Sequence, residues 1–299
     1  MLLLETIKQI VIISILFKII RNLPLNFIYI ISNFVYFLIF KVFKYRLDLV
    51  KKNMTLTNLN LNSSQSHKTI RKFYQYFTDL YLESIKMDSF SKSDFEKRFT
   101  VINIEIVNKF FNEGKSVVLM LSHYGGYEWC TCLPYFIKHN LLAVYTPIKN
   151  KYINEFIKKS RSRHGLDLIS RYDALKQIYK IEKKNKIPHL YGLVADQSPK
   201  ISSNNYWSKF FGVKVPVFTG SERIAKKYNL PVVYGKMKKI KRGYYSVEFQ
   251  LITDNPKKFK DFEITEKYLR LVENQLHEDP HPYLWTHNRF KHASKAPKD

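Results

Sequence analysis

A histidine and a glutamate, His123 and Glu128, lie just after a short apolar run, Val117 to Leu121. A run of that length bounded by glycine predicts a buried strand, and ligands of open α/β sheets usually bind where strands end. A histidine that removes a proton from a hydroxyl works better when a carboxylate fixes its tautomer and stabilises the imidazolium. The pattern therefore suggests that His123 is a general base and that Glu128 orients it.

Two glycines between these residues, Gly125 and Gly126, predict the turn that this arrangement needs. If the turn starts a helix, Glu128 can face back towards His123, and backbone N–H groups can approach a substrate oxygen as an oxyanion hole. A substrate hydroxyl can act as the nucleophile, so no catalytic serine or cysteine is required. Without its surroundings the pattern is weak, because a histidine held for structural reasons fits it equally well.

The elements around the motif alternate between strand and helix, which predicts an α/β fold with a mixed, mostly parallel central sheet flanked by helices. Periodicity predicts strands over residues 117–121, 141–145, 166–169, 188–195, 230–236 and 244–252. Helices are predicted over residues 45–54, 66–87, 105–112, 129–139, 154–163, 174–184, 221–228 and 265–278.

The first 44 residues differ from the rest of the chain. Ile7 to Phe17 is largely apolar, and Asn22 to Phe40 contains no charged side chain. As a helix this second stretch would span about 28 Å, close to the hydrocarbon thickness of a bilayer. Three interpretations stay open: a transmembrane helix, helices in the membrane interface, or helices packed on the domain. Basic residues after the segment favour a cytoplasmic main body. We expect residues 1–44 to anchor the protein to a membrane, 45–291 to form the catalytic domain, and 292–299 to be a loose tail.

The chain is strongly basic, with 50 Lys and Arg against 25 Asp and Glu and a formal charge of +25. This excess favours a polyanionic partner, which could be a nucleic acid, an anionic membrane or a phosphorylated substrate, although a solvated basic surface is the alternative. The 22 Phe and 21 Tyr suit either a membrane interface or the stacking of bases. A nucleic-acid-binding protein has no use for the apolar N-terminus, so we expect no nucleic-acid partner.

The two cysteines, Cys130 and Cys132, do not indicate a metal site. A closed zinc site needs about four ligands, and neither a second cysteine pair nor a closely spaced histidine pair occurs. We expect two buried thiols and no metal.

Several sequence blocks carry a resemblance to a known family. His123 to Trp129 resembles the His-x4-Asp/Glu block of the lysophospholipid acyltransferase superfamily and, more closely, the bacterial lipid A biosynthesis acyltransferases. Six further blocks follow the order found in that family, and the resemblance covers roughly residues 20–291. These blocks are Tyr45 to Asn53, Val144 to Asn150, Ala195 to Pro199, Phe210 to Gly220, Leu230 to Val233 and Glu278 to Lys291.

The resemblance implies a glycerol-3-phosphate acyltransferase-like fold and acyl transfer on the cytoplasmic side of the inner membrane. An acyl thioester, on acyl carrier protein or CoA, would be the co-substrate and no other cofactor would be needed. The acceptor would be an anionic glycolipid, a lipid A precursor. Another glycolipid, a lysophospholipid or an aminolipid is the alternative acceptor, and a non-catalytic membrane scaffold is the alternative function.

One departure from the family affects substrate binding, because Thr146 stands where the family has an arginine. Lys149, Lys151, Arg161 or Arg163 could replace it. The basic runs Lys158 to Arg163 and Lys236 to Arg242 could attract phosphates and headgroups. The full set of candidate substrate-binding residues is Gly125, Gly126, Lys149, Arg161, Arg163, Asp196, Gln197, Glu222 and Arg223.

Some of these candidates also have a simpler interpretation. Asp196 could be a turn or helix cap, and Glu222 could be an acid at a helix N-terminus. His287 and Arg289 lie in the block Glu278 to Lys291, which we call the closing segment. They could serve packing as well as function. The remaining histidines of interest have no partner pattern, and we expect them at the surface or in loops; they are His164, His277 and His281.

Overall fold

The computed structural model describes residues 14–148, 150–184 and 187–297. Its central sheet has seven strands in the order β1-β9-β8-β2-β5-β3-β4. Five of the six neighbouring pairs are parallel, and only β8 and β9 pair antiparallel. The strands are β1 (Phe99–Ile102), β2 (Val117–Leu121), β3 (Asn140–Tyr145), β4 (Asp167–Ser170), β5 (His189–Val194), β8 (Val232–Lys241) and β9 (Tyr244–Thr253). The predicted α/β fold with a mixed, mostly parallel sheet is confirmed.

The sequence patterns missed three short strands. A separate antiparallel hairpin consists of β6 (Tyr206–Phe210) and β7 (Val213–Val217), and β1 forms the edge of the main sheet. β1 has only four residues, and β7 contains Pro216, which is tolerated there because the strand pairs on one side only. Neither strand therefore has the continuous apolar run of a central strand.

Helices cover both faces of the sheet and extend at the N-terminus. After a helical stretch at residues 14–22, they are α1 (Leu25–Tyr36), α2 (Leu47–Leu56), α3 (Ser63–Met87), α4 (Lys92–Glu96), α5 (Ile104–Asn112), α6 (Lys151–Ser162), α7 (Ala174–Lys184), α8 (Gly220–Tyr228) and α9 (Glu263–Glu278).

The predicted helix at residues 129–139 is wrong. The chain instead forms 3₁₀ turns over Tyr127–Tyr135, starting from Gly126 in the left-handed region. Pro134 lies inside this stretch and cannot donate a helical hydrogen bond, which explains why a regular α-helix does not form.

The apolar N-terminal helix is attached to the domain by one face only. Leu25–Val42, with a mean hydropathy of 1.7, is long and apolar enough to cross a membrane by length and composition. Ser32 on its inner face hydrogen-bonds Asp79 at 2.6 Å, and the Tyr29 hydroxyl donates to Glu83 at 3.0 Å, both on α3. The outer face exposes large apolar side chains, among them Phe27, Ile30, Phe34 and Phe37. The helix therefore packs on the domain with one face and offers an apolar surface for a membrane with the other. The features predicted for residues 1–13 lie outside the described residues.

The sheet order puts a crevice at the end of β2. The chain continues from β2 to β3, β4 and β5 on one side of it, and later returns to β8 and β9 on the other side. Such a switch in strand order is where α/β sheets usually bind ligands. β2 pairs parallel with β5, and Leu121 lies opposite Val194. Residues that follow these two strand ends therefore meet, which determines the geometry of the site.

Gly126 is required by packing, and its replacement tests the turn after β2. A Cβ there would lie 2.4 Å from the Tyr245 ring, and the φ of +88° is left-handed. We expect Gly126→Ala to lower the free energy of unfolding by about 2–5 kcal/mol, from strain and overpacking together. Gly212→Ala is the matched control, because φ is +75° but nothing lies within 4 Å of its added Cβ. It should cost only about 1–2 kcal/mol in urea denaturation; equal losses would contradict the packing argument.

Candidate active site

The carboxylate bound to His123 belongs to Asp196. The Nδ1 atom of His123 lies 2.7 Å from Oδ1 of Asp196, and the backbone N–H of His123 donates to the same oxygen at 3.1 Å. Each residue lies two positions beyond the end of its strand, β2 or β5, and these strands are parallel neighbours. With Nδ1 engaged in this way, Nε2 of His123 is the nitrogen available to a substrate.

Asp196 is buried but remains ionised. Burial by itself would raise its pKa, but the charge and hydrogen bonds of His123 outweigh that effect and hold the pKa below its ordinary value. Its ionisation therefore stabilises the fold above about pH 4, and this contribution is lost as the pH falls towards the lower pKa of the folded state. The Asp196 side chain is 1% exposed, whereas that of His123 is 18% exposed and can reach a ligand.

The expected contact between Glu128 and His123 is wrong. Both carboxylate oxygens of Glu128 instead accept from Nη2 of Arg161 at 2.8 Å. Glu128 lies in the first 3₁₀ turn after Gly126, which directs its side chain towards α6. The attraction of Glu128 is the largest of the effects that raise the pKa of Arg161. The structure thus brings together Glu128 and Arg161, two of the predicted site residues, but as an ion pair.

The expected oxyanion hole at Gly125 and Gly126 is also wrong. The N–H of Gly125 donates to the carbonyl of Pro282 at 2.7 Å, and the N–H of Gly126 donates to the Tyr76 hydroxyl at 3.2 Å. Both glycines have positive φ, and an added Cβ at Gly125 would lie 3.0 Å from the backbone of Met237. They serve the turn and its close packing, and their N–H groups are occupied.

His123 lies at the wall of a cavity of about 430 Å³ that has both polar and apolar walls. Its polar wall includes His123, Glu128, Arg161 and Gln197. Its apolar wall runs between the sheet and the 3₁₀ turns and includes Leu119, Leu121, Leu133, Leu141, Ala143, Leu166, Leu168 and Val194. A cavity with both polar and apolar walls suits a ligand that has a polar, reactive head and an apolar chain.

The closing segment holds both halves of the site. The carbonyl of His123 accepts the N–H of Leu284 at 3.0 Å. On the other side, Nε2 of His287 accepts the N–H of Ser198 at 3.2 Å, and Ser198 Oγ lies in hydrogen-bond distance of Arg289. Burial lowers the pKa of His287 to about 4, which keeps the ring neutral and able to accept this bond. His287 and Arg289 are therefore part of the site's framework.

The family-like block at Tyr45 to Asn53 has a role that the sequence did not reveal. Nη1 of Arg46 donates to the carbonyl of Thr286 at 2.8 Å. The amide of Asn53 donates to the carbonyls of Trp285 and His287 at 2.8 and 2.7 Å. These contacts span most of the chain length, and they fix the closing segment in place. The resemblance to the family singled out this block, but nothing local in it indicated that Arg46 and Asn53 bind the closing segment.

The other predicted binding residues are spread around the site. Arg163 forms an ion pair with Asp88 at 3.1 Å, and Arg223 is exposed at a neighbouring cavity. Lys149 lies outside the described residues. For Glu222 the predicted substrate contact is wrong: its buried carboxylate accepts the backbone N–H groups of Phe262 and Thr265, at 2.7 and 2.9 Å. Glu222 therefore satisfies the start of α9.

Two expectations about exposed groups are corrected. His164 is buried and lies between the Tyr135 hydroxyl and the carbonyl of Met87, both at 3.0 Å, so it is a core residue. The run Lys236 to Arg242 is not simply free for headgroups, because Arg242 donates to Asp79 and anchors the β8–β9 hairpin to α3. Cys130 and Cys132 are buried thiols, as expected.

A histidine–carboxylate pair beside a cavity, on the carboxyl edge of a mostly parallel sheet, is an arrangement typical of the active sites of α/β enzymes. The sequence profile of the bacterial lipid A biosynthesis acyltransferases matches residues 2–292. The chain belongs to this family: it is an acyltransferase of lipid A, and hence lipopolysaccharide, biosynthesis. The family is associated with the inner membrane.

Comparison with other known proteins adds little detail. No curated protein matches the sequence significantly. Among solved structures, the 1-acyl-sn-glycerophosphate (LPA) acyltransferase PlsC from Thermotoga maritima is similar, with a TM-score of 0.37 and 13% identity. That similarity covers 84% of this chain and 97% of the other.

Replacing Asp196 tests the observed pair against the expected one. Asn keeps the size of Asp196 but loses its charge and can leave His123 in the wrong tautomer. We expect Asp196→Asn to lower turnover about 10²–10⁴-fold. The same substitution in a His123→Ala protein should have little further effect, because residues that act as a unit are not additive. A large additional loss in that background would show that Asp196 does not act through His123.

Proposed function

We propose that the protein transfers a fatty acyl group from a thioester to a hydroxyl of a lipid A precursor, with His123 as the general base and Asp196 as the residue that positions it. The observation that carries this proposal is the 2.7 Å contact between His123 Nδ1 and Asp196 Oδ1 at the wall of the cavity. Family membership supports the reaction class. The geometry supports the assignment of residues.

The proposed reaction needs only one proton carrier. Nε2 of His123 takes the proton of the acceptor hydroxyl as its oxygen attacks the thioester carbonyl. The tetrahedral intermediate collapses with cleavage of the carbon–sulfur bond, and the imidazolium returns the proton to the leaving thiolate. The products are an ester and a free thiol. Asp196 keeps Nδ1 engaged and stabilises the imidazolium between the two proton transfers.

Negative charge develops on the carbonyl oxygen during this attack. Arg161 is a cation in the same cavity that can stabilise this charge. Arg161 lines the same cavity as His123 and is held by Glu128. The amide of Gln197 also lines the cavity, directly after Asp196. We assign to Arg161 and Gln197 the stabilisation of the oxyanion, or of a substrate phosphate, and to Glu128 the positioning of Arg161.

The apolar part of the cavity suits the fatty acyl chain of the donor. Leucines from β2, β3 and β4 line it, so a chain that enters beside His123 would be surrounded by hydrocarbon. Each buried methylene contributes about 0.8 kcal/mol, which gives the cavity depth an influence on chain length.

The charge of the chain and its apolar N-terminus support the proposed donors and location. A formal charge of +25 attracts an acidic carrier protein, a CoA thioester and an anionic membrane alike. The exposed apolar face of α1 supports attachment to the membrane, and the basic residues after it favour the cytoplasmic side.

His123→Ala tests the proposed function directly. Transfer from acyl carrier protein thioester to a lipid A precursor should fall about 10²–10⁴-fold, because the general base is lost. His67→Ala, at an exposed position on α3, is the control and should retain activity. Near wild-type turnover of His123→Ala would exclude the mechanism. Mass spectrometry of the lipids lost on gene deletion, and restored by the His67 variant, identifies the acceptor.

The cavity assignment predicts a change in chain selectivity. Ala143 lines the cavity from β3, and Ala143→Leu would fill part of it. We expect the preference between a long donor and one two carbons shorter to shift about tenfold towards the shorter chain, since two methylenes amount to about 1.6 kcal/mol. The readout is competition between the two thioesters, which cancels any general loss of activity. An unchanged ratio would place the acyl chain elsewhere.

A further inference from the structure

The closing segment reaches both strand-end loops that carry the pair. Towards the His123 loop, Leu284 donates to the His123 carbonyl, and the Pro282 carbonyl accepts from Gly125. Towards the Asp196 loop, the segment binds Ser198 through His287 and Arg289. The relative position of the two loops therefore depends on this segment as well as on the sheet.

Arg289 has contacts that packing alone does not explain. Its side chain is buried, 1% exposed, and lies over the Phe210 ring at 5.0 Å from the centroid. Nη1 donates to Ser198 Oγ and to the carbonyl of Pro216, both at 3.2 Å. Nε and Nη2 are buried without a hydrogen-bond partner among the described residues.

Such a buried guanidinium is costly, and a hydrophobic residue would pack at lower cost. Within the described part of the chain, no carboxylate comes close enough to form an ion pair with it. Burial lowers the pKa of Arg289, and the nearby Asp196 carboxylate opposes that shift. Among the described residues, Oδ2 of Asp196 is buried without a hydrogen-bond partner. Ser198, to which Arg289 donates, lies two residues after Asp196, so Arg289 fixes the loop that carries this carboxylate.

We infer that Arg289 is a positioning residue for acyl transfer, which holds the Asp196 loop through Ser198 and so fixes the carboxylate that orients His123. This inference rests on the proposed function of His123 and extends it to a residue that does not line the substrate cavity. The segment that carries Arg289 is fixed by Arg46 and Asn53, so its position is set independently of substrate. A displacement of about 1 Å at a catalytic pair can cost about 10²-fold in rate.

The test compares Arg289→Met with Arg289→Lys in the full-length protein in detergent. Methionine removes the charge and both hydrogen bonds, and we expect kcat to fall about 10²-fold with little change in KM. Lysine keeps a donor for Ser198 Oγ and the Pro216 carbonyl, and it should recover part of kcat. A thermal unfolding measurement on each variant checks that it is folded. A rise in KM without a fall in kcat, or equal kcat values for the two variants, would overturn the inference.

A second comparison separates positioning of Asp196 from general support of the fold. Each arginine variant is combined with Asp196→Asn, and the effect of Arg289→Met on kcat should largely disappear there. Arg46→Met is the matched control, since Arg46 holds the same segment but does not contact the Asp196 loop. Arg46→Met should lower thermal stability. Its effect on kcat should be smaller than that of Arg289→Met, and should be the same in the wild-type and Asp196→Asn proteins.

The outcomes remain distinct from those of the proposed function. If Arg289→Met loses as much activity in the Asp196→Asn protein as in the wild type, or if Arg46→Met matches it, Arg289 has only a structural role. The proposed function itself fails only if His123→Ala stays active in the same assay.

Discussion

The parallel pairing of β2 with β5 is the constraint on which the site depends. The two strands end side by side, with Leu121 opposite Val194. Two residues beyond these strand ends lie His123 and Asp196. No local turn could bring these residues together, because 73 positions separate them in sequence. The backbone N–H of His123 donates to the same carboxylate as the ring, so the contact also fixes the backbone at the strand end.

A second buried carboxylate joins the N-terminal helix to the catalytic turn. Glu83 on α3 accepts from the hydroxyls of Tyr29 and Tyr245 and from the indole N–H of Trp129. Burial, assisted by nearby Asp79, raises the pKa of Glu83, and its three donors compensate for the loss of water. Trp129 follows Glu128 directly, so α1, the sheet and the turn after β2 share one hydrogen-bonded centre.

The sequence predicted the sheet class and, to within one residue, both strand ends, because β2 is a continuous apolar run and β5 is a short, largely apolar run. It also selected His123 and Asp196 as candidates. It could not pair them, since strand order is a long-range property and Glu128 was nearer in sequence. The direction of Glu128 depends on 3₁₀ turns that begin at Gly126, and Pro134 was the one local signal against a helix. The role of Glu222 depends on α9, 40 residues away, and no local pattern records it.

The one-sided attachment of α1 has a consequence for how the enzyme meets its acceptor. Its polar side is hydrogen-bonded to α3 and its other side exposes Phe27, Ile30 and Phe34. With its exposed face in the lipid, a helix bound in this way would set the height and tilt of the candidate site at the membrane surface. An acceptor lipid then diffuses in the same plane as the enzyme. The frequency of encounter is governed by the number of acceptors per unit of membrane area, and the bulk volume of the cell does not dilute it.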